Sequence, residues 1–189
     1  EAQTDQAAGV FLRWLWDDSK AEIYVDYNYN DSKQNFRDLL LDSDHSRAVT
    51  VGLQKVFEIN NDNYLFSWEW TQMEQSASRL IRNAGSWYQH GWSYDGYTNR
   101  GEVLGAGIGP GSNSHYFALN RLIGKERLGL ALEIIDQDND FYHEAFISAK
   151  DPRRYWKDFN IHLNFSKKYK NLWLSSNLMY SRSLNYQWD

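Results

Sequence analysis

The chain has 189 residues, with 20 Lys and Arg against 25 Asp and Glu (formal net charge −5), no cysteine, nine Trp, thirteen Tyr and nine Phe. Interspersed charges with an acidic balance exclude a basic nucleic-acid face, and the lack of cysteine excludes disulfides and thiolate metal sites. A mean hydropathy of −0.72, with no run near the ~18 apolar residues that a spanning helix requires, excludes helical membrane spans. No signal peptide is visible, and the opening Glu1-Ala2-Gln3 without Met is that of a processed product or a fragment.

In chain order, apolar residues recur with period two, the signature of strands. Val10, Leu12, Trp14 and Trp16 alternate with Phe11, Arg13 and Leu15. After Asp17-Asp18-Ser19, Ile23, Val25, Tyr27 and Tyr29 alternate with Glu22, Tyr24, Asp26 and Asn28. A polar connector spans 30–46, with a helical turn expected at Asn35–Leu41. Val49, Val51, Leu53 and Phe57 form the next apolar series, the Asn60–Asn63 cluster turns the chain, and Phe66, Trp68 and Trp70 follow. Glu74–Arg82 predicts a short helix. Beyond the glycine-rich stretch, Phe117, Leu119 and Ile123, then Leu128, Leu130, Leu132 and Ile134, flank a turn at Gly124-Lys125-Glu126. A connector over 137–154 precedes Phe159, Ile161, Leu163 and Phe165, the turn at 167–171, and a last strand that sets Leu174, Leu178, Tyr180, Leu184, Tyr186 and Trp188 on one face.

These are about eight strands, several of ten or more residues. Soluble strands run to about 5–6 residues, whereas tilted membrane-spanning strands need about 9–11. One face is continuously apolar; the other carries Arg13, Glu22, Asp26, Glu69, Glu133 and His162. A soluble sandwich must cover the apolar face with a second layer, whereas a lipid-embedded barrel leaves it to the bilayer and turns the charged face toward a polar lumen. Aromatics near strand ends (Trp16, Tyr29, Tyr64, Tyr155, Trp173, Trp188) suit interfacial girdles. The predicted fold is therefore an all-β antiparallel transmembrane barrel, residues 1–189 forming one barrel segment and 75–111 a long loop or plug.

Two sets of segments resemble the Wzi family of capsule-assembly proteins. One is Tyr97-Thr98-Asn99-Arg100-Gly101-Glu102-Val103-Leu104-Gly105 with Gly109-Pro110 and Tyr116. The other is Glu22-Ile23-Tyr24-Val25-Asp26-Tyr27 with Asp31, then Asp44-His45-Ser46-Arg47-Ala48 and Gly52. The resemblance runs through most of the chain in order. It implies a large outer-membrane barrel with a plugged lumen, of which this chain is a part. It also implies a surface lectin, without catalysis, that helps hold capsular polysaccharide. Expected partners are that polysaccharide, outer-membrane lipid, and the rest of the barrel or other envelope proteins; no cofactor is expected.

The candidate sugar site lies in Gly85–Ser112, which holds eight of the twelve glycines. Long loops inside compact domains are usually functional or disordered, and this one is rich in aromatics. Sugar sites pair an aromatic ring against the apolar pyranose face with polar groups on the hydroxyls. Trp87, Trp92, Tyr94 and Tyr97 are the candidate platforms, with His90, Asp95 and Arg100 as polar partners. Two other classes compete, a channel or transporter whose lumen this loop constricts, and a glycan hydrolase using Glu69 and Glu133 as acid and base. His45, His90, His115 and His162 lack zinc-site spacing, and Asp136, Asp138 and Asp140 lack the glycine and closing acid of a calcium loop. No metal site is expected. Strand parity leaves the orientation open. If the chain ends in the periplasm, the short turns lie outside the cell; the usual rule of short periplasmic turns puts the long connectors outside.

Overall fold

A computed structural model describes residues 7–30, 41, 43–89, 96–146 and 151–189. The strands are β1 (Ala8–Trp16), β2 (Ala21–Tyr29), β3 (Arg47–Ile59), β4 (Asp62–Gln72), β5 (Thr98–Asn99), β6 (Glu102–Val103), β7 (Asn113–Ile123), β8 (Glu126–Asp136), β9 (Lys157–Tyr169) and β10 (Leu172–Leu184). Eight of them form one antiparallel meander in the order β1-β2-β3-β4-β7-β8-β9-β10, with β5 and β6 as a separate ribbon. Among the described residues the eight-stranded sheet does not close on itself, which leaves β1 and β10 as its edges.

Four short turns stand at one end of the sheet and the long connectors 30–46, 73–112 and 137–156 at the other. The turn chemistry explains the tight end. Asn60 and Asn61 both take left-handed φ (51° and 65°), the conformation whose twist matches paired strands. Gly124 supplies φ +59° at the β7–β8 turn, and Lys170 takes φ +54° at the β9–β10 turn.

Register shows that the two faces read from the sequence are the two faces of the sheet. One cross-strand row runs Trp14–Ile23–Leu53–Trp68–Phe117–Leu132–Ile161–Tyr180 and is apolar throughout. The adjacent row on the opposite face runs Arg13–Tyr24–Gly52–Glu69–Tyr116–Glu133–Asn160–Ser181. Among the described residues the apolar face has no protein cover: Trp14 is 60% exposed, Leu130 51% and Leu178 64%. The buried apolar side chains among the described residues are Ala48, Val49, Met73, Ala118, Ala131 and Tyr142, too few and too small for a sandwich core.

The connectors depart from expectation in several places. The helix expected over Glu74–Arg82 is a single 3-10 turn, Ala77–Leu80, capped by the Ser76 hydroxyl. Leu80 and Ile81 are 73% and 95% exposed and find no packing surface among the described residues, so nothing there rewards a longer helix. The 137–154 connector instead contains a helix, α1 (Asn139–Ala145), whose N-cap Asp138 accepts a hydrogen bond from Phe141 N–H. Tyr186 and Trp188 do not continue β10. The chain turns at Asn185 into a short 3-10 turn, and Trp188 packs on α1 and its neighbours, with ring centroids 5.1 Å from Phe141 and 5.7 Å from Trp156. Trp188 is thus held in a connector cluster rather than a girdle. Trp173 pairs with Lys168 on the polar phase of β10, which removes it from the outer belt. The turn expected at Asn35–Leu41 lies almost wholly outside the described residues.

Gly124→Val places a β-branched residue at left-handed φ and should cost about 1–2 kcal/mol, read as a lowered denaturation midpoint in detergent micelles. An unchanged midpoint would contradict the turn geometry.

Candidate functional site

The polar row is built by clearing one strand for the next. Gly52 has no side chain, so the Tyr24 ring lies across β3; an added Cβ would stand 1.9 Å from Tyr24 Cζ. The Tyr24 hydroxyl therefore reaches β4 and donates to Glu69. Tyr116 follows on β7, and then Glu133 on β8, whose Oε2 accepts from Asn160 Nδ2 at 2.9 Å and lies 3.4 Å from His162 Nε2. At one side Arg13 Nε donates to Glu22 at 3.0 Å, and Asp26 accepts from Asn28 at 2.9 Å. All six residues expected on the polar face stand on it.

Over the middle of this row lies a cavity of about 460 Å³. Tyr24, Glu69, Tyr116 and Glu133 form its floor, Thr50, Gln54 and Thr71 its flank, and Ala106–Ile108 of the long loop its roof. Tyr88 holds the roof in place. Its hydroxyl accepts from Ala106 N–H at 2.9 Å, and its ring occupies the space of a Gly105 side chain, with Cζ 2.3 Å from where a Cβ would stand. The Tyr88 carbonyl also accepts from Tyr97 N–H at 3.0 Å, tying the β5–β6 ribbon to the same anchor.

Chemically the cavity offers carboxylate acceptors, hydroxyls and tyrosine faces. Glu69 and Glu133 sit two strands apart, so their backbones are about 10 Å apart. Each is already committed, Glu69 to Tyr24 and Glu133 to Asn160. An acid–base pair needs one carboxylate protonated and the other poised on water; two hydrogen-bonded acceptors on a rigid sheet suit recognition of hydroxyl groups better.

The aromatic-loop candidates are only partly united. Tyr97 is 55% exposed, and Arg100 stands exposed at the tip of the β5–β6 turn with φ +55°. Trp87 is half-buried against Tyr88, with centroids 6.2 Å apart, and its Nε1 is buried without a partner among the described residues. His90, Trp92, Tyr94 and Asp95 lie outside the described residues. Sequence reasoning passed over Tyr24, Tyr88 and Tyr116. Tyr24 and Tyr116 were findable, since both alternate in phase with the polar face rather than the apolar one.

A buried polar knot fixes the loop to the sheet. Glu74 accepts from Asn113 Nδ2 at 2.6 Å, Asn139 Nδ2 at 3.0 Å and Arg79 at 3.3 Å. Asp140 on α1 accepts from Gln75 N–H at 2.9 Å. Gly111 is required between them, for its φ is +60° and a Cβ would stand 2.4 Å from Asp138 Oδ1. Burial pushes the Asp140 carboxyl up to about 7, with the Glu74 and Asp138 charges adding to the shift. Among the described residues no group of three His, Asp or Glu could hold a metal ion.

The chain superposes on the solved structure of Wzi, an outer-membrane protein involved in group 1 capsule assembly in Escherichia coli and a carbohydrate-binding β-barrel. The TM-score is 0.71 at 16% identity, over 96% of this chain and 39% of that one. The chain has the fold of part of the Wzi barrel. It spans 39% of Wzi's length, which agrees with a sheet left open at both edges. No protein-family model matches the chain, and no curated protein matches it by sequence.

An unfolded aspartate ionises near pH 4, whereas folded Asp140 holds its proton to about 7. Its contribution to docking of α1 is therefore complete below about pH 4 and is lost as the pH rises through about 7. Hydrogen exchange of 139–146, corrected for intrinsic rates, should show opening that grows from pH 5 to 8 and a flattened profile in Asp140→Asn. The same pH slope in the variant would contradict this assignment.

Proposed function

We propose that this chain is a segment of an outer-membrane barrel that binds surface or capsular polysaccharide and helps attach or assemble the capsule. The observation that carries the reading is the superposition on a carbohydrate-binding outer-membrane barrel along nearly the whole chain. The uncovered apolar face supports a bilayer setting. An eleven-residue strand such as β7 or β8 is about 36 Å long, and at the usual tilt it spans a band of about 25 Å, the apolar height of outer-membrane barrels. In that setting the polar face lines the interior, the free edges of β1 and β10 pair with further strands, and the long connectors face outward.

Binding without turnover fits the committed carboxylates. Glycan contact is assigned to the cavity floor, Tyr24 and Tyr116 with Glu69 and Glu133, and to the aromatic loop, through Trp87, Tyr97 and Arg100 together with the sequence candidates His90, Trp92, Tyr94 and Asp95. The roof at Ala106–Ile108 and the knot at Glu74 support reading 75–111 as a plug rather than a gate.

Retention of capsular polysaccharide by the complete protein in detergent micelles tests the reading. Tyr24→Ala/Tyr116→Ala and Trp92→Ala/Tyr97→Ala should each weaken retention at least about fivefold, since each removes two aromatic faces. Wild-type protein that retains no glycan would overturn the function; unchanged retention by a double variant would remove that pair from the site.

A further inference from the structure

We propose that the polar face carries a second site, at its short-turn end, for a carboxylate or phosphate group borne by a sugar. The proposal rests on the glycan-binding reading above and adds to it a ligand class and a position. The site is a concavity of about 470 Å³ between β8, β9 and β10, where Lys125 and Arg127 stand with Asn164, Ser166, Ser175 and Asn177.

Charge is the first argument. Several other cations of this sheet are matched: Arg13 by Glu22, Arg121 by Asp62 and Lys157 by Asp136. Lys125 and Arg127 make no hydrogen bond or ion pair to any described residue, and no carboxylate lines the concavity. Glu126, between them in sequence, is directed away by strand alternation, its Oε1 accepting from Lys168 N–H at 3.3 Å.

The second argument is the donor set. Arg127, Ser166 and Ser175 form one cross-strand row, and Gly129, Asn164 and Asn177 the next. Asn177 Nδ2 donates to Asn164 Oδ1 at 2.6 Å, which leaves the Asn164 amide nitrogen free to donate. A guanidinium, an ammonium, two hydroxyls and an amide thus line one concavity, a set that suits an oxyanion and would leave a cation unserved. Beside it Asn120, 5% exposed, lays its amide over Gly129, and its Oδ1 has no partner among the described residues. That oxygen is buried against the Gly129 backbone and closed to a ligand, so the sugar assignment rests on the glycan-binding reading above.

The first cavity has the opposite character, with Glu69 and Glu133 on its floor and no cation in its lining. From Glu133 to Arg127 is six residues along β8, about 20 Å.

Calorimetric titration of the complete protein in micelles with a uronate-bearing capsular oligosaccharide, its carboxyl-reduced neutral counterpart, a sugar phosphate and inorganic phosphate tests the proposal. The acidic oligosaccharide should bind roughly tenfold or more tightly than its reduced form, the range of charged hydrogen bonds. Lys125→Gln/Arg127→Gln should erase that difference while leaving the neutral form unchanged, and Arg127→Lys should keep part of it. Far-UV circular dichroism identifies any variant that fails to fold, and raised salt applied to the wild type gives the same reading without substitution. Equal affinity for the acidic and reduced forms overturns this site and leaves the proposed function standing. Inorganic phosphate binding as tightly as the acidic sugar overturns the sugar assignment. Binding of none of the four ligands overturns both readings.

Discussion

The structure depends on one constraint: eight long strands carry a continuous apolar face that no layer of described residues covers. Exposed leucines and aromatics over several adjoining strands form a patch far beyond what a soluble monomer leaves in water. The strands satisfy their backbone hydrogen bonds with one another, as a bilayer demands, everywhere except at β1 and β10. A face solvated by lipid and edges completed by more strands remove both problems together. The superposition on part of a larger barrel supplies a precedent for that geometry.

The opposite face follows from the same alternation. Once every second residue is committed to the apolar side, the intervening ones gather into rows, and those rows bring Tyr24, Glu69, Tyr116 and Glu133 together from four strands. Gly52 matters here through what it omits, since only an absent side chain lets Tyr24 cross β3. At the long-connector end, Tyr88 and the knot of Glu74 and Asp140 hold the loop roof above the cavity. The groups proposed for recognition are thus carried on strands, beneath the loop roof.

How far the sequence could be read depended on period. The strands and both faces were legible because their alternation is long and regular, as in Leu128 to Ile134. The phase misled at Tyr186 and Trp188, which keep the alternation of β10 although the chain has already turned at Asn185. α1 escaped notice because seven residues are too few to display helical period, and its capping Asp138 sits in an Asp-Asn-Asp run that reads as a turn. The 3-10 turn at Ala77–Leu80 shows the converse, a stretch with helical composition but no surface to pack on. In the site, the charged residues of the polar face were legible by phase. The place of Tyr24 on that face was legible by the same phase, but its reach to Glu69 and the anchoring by Tyr88 were not, for each depends on a glycine distant in sequence, Gly52 and Gly105.

The most direct measurement uses the absence of cysteine from this stretch. Single cysteines placed at each position from Leu128 to Ile134, spin-labelled in the complete protein and reconstituted in lipid bilayers, report exposure to oxygen dissolved in the membrane and to a water-soluble paramagnetic reagent. The account predicts oxygen contact peaking at 128, 130, 132 and 134, with the aqueous reagent, where it enters, favouring 129, 131 and 133. A profile without alternation, or one with the phases exchanged, would contradict it.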